Sequence, residues 1–206
     1  MGLRARLAAL ADKNDVVYSF FTTPAAWFSA AVLVVLVAAA LLAPWLSSVN
    51  PFDLGSLDVT DAHLPPAWTE EGDARFWLGT DDQGRDLLSA ILYGLRLSLS
   101  ISLVSVALSI VIGVGLGVTA GFAGGWIDTV LMRVSDVFLA FPGLVFALAV
   151  AGVLGGGLQN AIIALAAISW PKYARIARSQ TLAQKETQWM KAVRLSGSGT
   201  GKIILK

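Results

Sequence analysis

Three stretches of this chain carry no charged side chain: residues 25–46, 97–127 and 137–171, which are 22, 31 and 35 residues long. A bilayer core of about 30 Å is crossed by about 20 helical residues. Backbone polar groups in hydrocarbon must be satisfied within the segment, and runs of this length do so as helices. The chain is therefore expected to be all-α, a polytopic transmembrane helix bundle. Composition agrees: 56% of residues are hydrophobic, 14% are charged, and mean hydropathy is +0.70. A soluble domain carries roughly a quarter charged residues, so a water-soluble globule is excluded. There is no cysteine, and His63 is the one histidine. Disulfides, thiolate chemistry and a His-pair metal site or dyad are thereby excluded.

The first run is interrupted only by Ser29 and Pro44. It is longer than the apolar core of a signal peptide, about 7–15 residues, and no small-x-small cleavage site follows, so an uncleaved span over 25–46 is expected. The second run exceeds the bilayer core at about 1.5 Å per residue, so a span over 97–121 is expected to tilt or to end near Gly121. Within it Gly113, Gly117 and Gly121 recur every four residues, a smooth stripe where another helix can approach closely. The third run is too long for one span. Gly155, Gly156 and Gly157 mark a turn near its middle, giving a third span over 130–154 that takes in Arg133 and Asp136, and a fourth over 158–176.

Charge segregation sets the expected topology. Residues 51–86 hold nine acids against Arg75 and Arg85, whereas residues 172–206 hold eight bases against Glu186 alone, and residues 1–24 hold Arg4, Arg6 and Lys13. Short basic segments stay cytoplasmic. Four spans put both ends on that side, with an acidic external loop over 47–96. In that loop Thr80 precedes Gln83 by three, a capping-box spacing. Leu87, Leu88, Ile91, Leu92 and Leu95 then share a helical face, which reads as an amphipathic helix at the membrane surface feeding the second span.

Two signals tempt and fail. Residues 196–203 look like a phosphate-binding loop, but Ser196 stands where glycine is needed, Ile203 where Ser or Thr is needed, and no strand precedes them. A carboxylate in a span is expensive, yet Asp136 has Arg133 one turn earlier as an ion-pair partner. No catalytic set converges, and no cofactor, metal or nucleic-acid site is expected.

Three ordered segments carry a resemblance. The first is Asn50-Pro51-Phe52-Asp53. The second runs from Trp77 through Gly79, Thr80, Asp81, Gly84, Arg85, Asp86 and Ser89 to Tyr93 and Ser98. The third runs from Gly124-Gly125-Trp126 through Asp128, Met132, Arg133 and Asp136 to Ala140-Phe141-Pro142. Together they resemble the second of the two inner-membrane permeases in the dipeptide/oligopeptide/nickel group of ABC importers. The resemblance covers about three quarters of the chain.

It implies a type I importer permease in a bacterial inner membrane, with a cytoplasmic N-terminus. The implied partners are a second permease forming a heterodimer, two ATPase subunits at the cytoplasmic face, an extracytoplasmic solute-binding protein and the lipid bilayer. The family's ATPase-coupling loop falls on Trp189, Met190, Lys191, Ala192, Val193 and Gly197. Lys191 and Val193 stand where the family has Glu and Ala, while the spacing to Gly197 is kept. The family carries two further spans beyond this loop, so four of six are expected in these 206 residues, and the chain by itself is expected to be transport-incompetent. The residues alone leave a secondary transporter or a noncatalytic scaffold open, and none of them discriminates among peptides, nickel chelates and related solutes.

Overall fold

The computed structural model describes residues 15–188 and Met190, apart from residues 48, 54, 56 and 57. Among these residues six α-helices follow in order: α1 (Asp15–Thr22), α2 (Pro24–Leu46), α3 (Leu87–Ala123), α4 (Gly125–Ala140), α5 (Gly143–Leu154) and α6 (Leu158–Lys185). Among the described residues the extended pairing is a single antiparallel bridge, Thr80 with Asp86. The chain forms two compact units, Met1–Leu99 and Ser100–Lys206.

In the first unit, Pro24 opens α2 at a position where its missing N–H is no loss. The helix ends at Leu46, with the Ser47 N–H donating to the Ala43 carbonyl at 3.0 Å. Its 23 residues span about 35 Å, enough for the bilayer core. It is apolar on every side, and Phe28 and Trp45 are 73% and 81% exposed. Such a surface suits lipid and not water.

The acidic loop is folded into a compact knot. Two stretches pair through their backbones: His63 N–H donates to Asp81 O at 3.0 Å, Thr80 N–H to Leu64 O at 3.0 Å, and Ala67 N–H to Trp77 O at 3.3 Å. The buried Thr80 hydroxyl accepts from the Leu64 N–H at 2.8 Å and donates to Asp61 O at 2.5 Å. The Asp81 carboxylate accepts from the N–H groups of Gln83 and Arg85, at 2.8 and 2.9 Å, closing a tight turn. Gly84 completes that turn at φ +75°, where a Cβ would lie 2.2 Å from the Asp58 carbonyl oxygen. Gly79, at φ +80°, sits as close to Leu64 O, with 2.4 Å to a Cβ. Exposed His63 also has positive φ, 59°.

The expected Thr80–Gln83 capping box is not what starts the next helix. Thr80 is consumed by the knot, and α3 starts at Leu87. The Asp86 carboxylate accepts from the N–H groups of Leu88 and Ser89 at 3.3 and 3.1 Å and from the Ser89 hydroxyl, satisfying donors at the helix end. Nor is there a separate surface helix before the second span, because residues 87–123 form one continuous helix of 37 residues. At about 55 Å it is longer than the bilayer core.

In the second unit the stretch expected as a third span, 130–154, is covered by two helices, α4 and α5, bent by 92°. Pro142 causes the break. It offers no N–H to the preceding turn and disfavours helical geometry in the residue before it, and Phe141 is extended at φ −85°, ψ 135°. Glycines make the next turn, Gly155 at φ 81° and Gly157 at φ 137°. Helix α6 covers the stretch expected as a fourth span, 158–176, and runs on to Lys185, its bases meeting the partners described below. By length and composition α2 and α3 can each cross a membrane, and the bent α4–α5 pair counts jointly as a third. Helix α6 is uncharged over its first half and carries Lys172, Arg175, Arg178 and Lys185 in its second.

Candidate functional site

The second unit is organised around a seam between α3 and α6. A Cβ on Gly113 would lie 2.6 Å from the Trp170 carbonyl oxygen, one on Gly117 2.3 Å from that of Ala174, and one on Gly121 2.8 Å from Thr181 Cβ. A real Cβ does not fit at such distances. The stripe also extends further than the glycines. Buried Ser105 and Ser109, two and one four-residue steps before Gly113, bring their hydroxyls to 3.5 and 3.4 Å from Ile162 O and Ala166 O across the seam, the Ser109 hydroxyl also donating to Ser105 O of its own helix at 2.7 Å. Opposite them, Ala164, Ala166, Pro171 and Ala174 are buried. Small residues on both helices let the backbones approach, the usual basis of helix association in lipid.

At the far end of the seam the ionic groups gather. Lys185 Nζ donates to the carbonyl oxygens of Gly121 and Phe122 at 2.9 and 3.1 Å, which satisfies two of the acceptors exposed where α3 ends and complements its negative pole. Arg178 grips Asp128 of α4 with two bonds, Nε to Oδ1 at 2.5 Å and Nη2 to Oδ2 at 2.6 Å. These side chains are 32% and 17% exposed. Arg175 bonds Asp136 at 2.5 Å. The expected Arg133–Asp136 pair is thus replaced by a contact between helices, and Arg133 is exposed on α4.

Around the bend, the rings of Phe138 on α4, Phe146 on α5 and Trp170 on α6 meet, with Phe138 centroids 5.5 and 5.6 Å from the other two. Pro142 is the residue that opens α5. Below the seam lies an open groove of about 490 Å³, with Val118, Phe122, Ile176, Gln180 and Met190 among its walls.

The sequence-predicted residues are therefore dispersed. Gly79, Thr80, Asp81, Gly84, Arg85 and Asp86 build the knot. Gly113, Gly117 and Gly121 line the seam, Asp136 joins α4 to α6, and Pro142 sits at the bend. Of the coupling segment, buried Met190 lines the groove, while Trp189, Lys191, Ala192, Val193 and Gly197 lie outside the described residues, as does the phosphate-loop-like stretch. Ser105, Ser109, Asp128, Arg175, Arg178 and Lys185 were not singled out as site residues by sequence reasoning. The four-residue period of the glycines, continued backwards, points to both serines. The Asp–Arg contacts have no signal of that kind, since they join residues 50 and 39 positions apart.

An all-α chain of long, lipid-compatible helices defines a multi-pass membrane protein, and the comparisons with known proteins specify which. The family described as "Binding-protein-dependent transport system inner membrane component" matches residues 113–206, and "N-terminal TM domain of oligopeptide transport permease C" matches residues 14–66. The di/tripeptide transport system permease protein DppC of Pseudomonas aeruginosa is 40% identical over 173 residues, covering 84% of this chain and 56% of that protein. The dipeptide transport system permease protein DppC of Haemophilus influenzae is 36% identical over 164 residues, 80% of this chain and 55% of that protein. The nickel transport system permease protein NikC of Escherichia coli K12 is 34% identical over 179 residues, 87% and 62%. The chain spans a little over half the length of these relatives. It belongs to the inner-membrane permease subunits of the dipeptide/oligopeptide/nickel group of ABC importers.

Proposed function

We propose that this chain serves as the second permease of an ABC importer. With a different permease it forms the path for peptides or related small solutes, and separate ATPase subunits at the cytoplasmic face drive the cycle. A solute-binding protein delivers cargo from the outside, and the chain carries no catalytic chemistry of its own. The observation that carries this reading is the joint match of an N-terminal permease module over 14–66 and a transport core over 113–206, in that order along one chain.

The basic segments favour a cytoplasmic N-terminus, with the acidic knot outside. Among cargoes, di- and tripeptides are the first choice, because a di/tripeptide permease shares 40% identity over 84% of the chain; a nickel permease at 34% keeps a chelate as the alternative. Affinity purification of the chain from its native membrane tests the assembly. The expected result is a fixed complex with one other permease and two ATPase subunits. Recovery of the chain alone, or only as copies of itself, contradicts it.

A further inference from the structure

We propose that Asp128 and Arg178 are positioning residues for coupling: their bidentate pair holds the foot of α6 rigidly to α4, so that movement of the segment after α6 is delivered to the bend at Phe141–Pro142. This rests on the importer reading for its functional meaning, but its structural content stands apart from it.

Three contacts tie the foot of α6 down, and they lie on two different helices. Lys185 holds the end of α3 through the Gly121 and Phe122 carbonyls. Arg178 holds Asp128 near the start of α4 through both carboxylate oxygens. Arg175 holds Asp136 one turn before α4 ends. A planar guanidinium bound at two points fixes orientation as well as distance, which a single contact or a lysine does not. The Asp128–Arg178 pair is also the less exposed of the two Asp–Arg pairs that join α4 and α6, 17% and 32% against 45% and 52%, and screening by water weakens such a contact less when it is partly buried. Helices α4 and α6 are thus clamped by charge over the stretch on one side of the bend.

On the other side of the bend the contact changes character. Phe141 and Pro142 break the helix by 92°, and the Phe138, Phe146 and Trp170 rings fill the corner. Aromatic contacts can slide where a bidentate ion pair cannot. The two-residue break is therefore the compliant element and the clamped foot is the rigid one. Met190, one residue of the expected coupling segment, lines the groove beside α3 and α6 five positions after that foot. Rigid elements joined by a short hinge are a common way to pass a small displacement on.

The test compares the wild type with Asp128→Asn, Arg178→Gln and the charge-exchanged Asp128→Arg/Arg178→Asp, each in nanodiscs and in the assembled importer. In nanodiscs, amide exchange is followed across residues 139–146, more than ten positions from residue 128. Each single variant is expected to speed exchange there at least about tenfold, and the exchanged pair to restore most of the protection. In the importer, ATP hydrolysis per assembled complex is expected to persist in the single variants while uptake falls about tenfold or more, with recovery in the exchanged pair. Exchange changes confined to residues 124–132, or hydrolysis and uptake falling in step with assembly, overturn the proposal in favour of a merely local contact. Wild-type complex without ATP-driven uptake, both with these 206 residues and with the sequence carried in a longer polypeptide, counts against the importer reading, and the exchange result then decides the clamp by itself.

Discussion

Gly117 on α3 and Ala174 on α6 meet backbone to backbone, and a Cβ built on Gly117 would lie 2.3 Å from the Ala174 carbonyl oxygen. Neither atom belongs to a flexible side chain that could swing away. Gly117→Ala must therefore push the helices apart, and overpacking of this kind costs roughly 1–3 kcal/mol. Gly115, on the same helix, has nothing within 4 Å of its Cβ position. Gly115→Ala is expected to be neutral or slightly stabilising, since alanine is the better helix former. Thermal unfolding and folded yield in detergent check the contrast. Equal behaviour of the two variants would place the seam elsewhere.

The knot makes a second prediction, at Gly84. Alanine there must adopt φ +75° and place its Cβ 2.2 Å from the Asp58 carbonyl oxygen. The left-handed conformation alone costs roughly 1–2 kcal/mol for an L-residue. Amide exchange at His63, Ala67 and Thr80 should accelerate at least tenfold in Gly84→Ala, while the α3–α6 seam keeps its protection.

The start of α3 is tested at Asp86. Asp86→Ala removes the acceptor for two backbone N–H groups and the Ser89 hydroxyl, and loss of such a cap costs about 0.5–2 kcal/mol. Asp86→Asn keeps an acceptor oxygen and should recover most of the difference in thermal stability. An equal loss in both variants would assign the effect to the negative charge and not to the cap.

Much of this architecture was legible in the sequence, and the rest was not, for physical reasons. Uncharged runs reveal helices because lipid leaves a backbone few other choices, and the spacing of Gly113, Gly117 and Gly121 reveals a close seam because four residues return to one helical face. The bend was missed because Phe141 and Pro142 lie inside an uncharged run, where hydropathy is blind to a two-residue interruption. The roles of Arg175, Arg178 and Lys185 were not legible because bases at the end of a span look like a solvated tail until their partners on α3 and α4 are known. The knot around Thr80 is held chiefly by backbone bonds, which side-chain patterns report poorly.

Acid should loosen the knot in a defined window. The Thr60 side chain and N–H hold the Asp58 carboxyl below its ordinary range, and the Arg75 guanidinium and N–H do the same for Asp73. A carboxyl depressed in the folded state contributes stability above its unfolded value, about 3.9, and loses it as pH falls through the folded value. Spin labels on Val59→Cys and Gln83→Cys, in a chain with no native cysteine, should give one narrow distance from pH 8 to 5 and broaden only below about pH 4. Broadening between pH 7 and 5 would point to a group other than these carboxylates.

Whether this chain is a permease of an ATP-driven importer is decided by uptake. Cells lacking their own peptide permease would receive the second permease, the ATPases, the binding protein and this sequence, either as these 206 residues or within a longer polypeptide. Accumulation of labelled di- or tripeptide is then measured with and without a catalytic substitution in the ATPases. The expected result is uptake that requires this sequence, in at least one of its two forms, and that disappears when ATP hydrolysis is blocked. Uptake that survives the blocked ATPases, or that never depends on this sequence in either form, would contradict it.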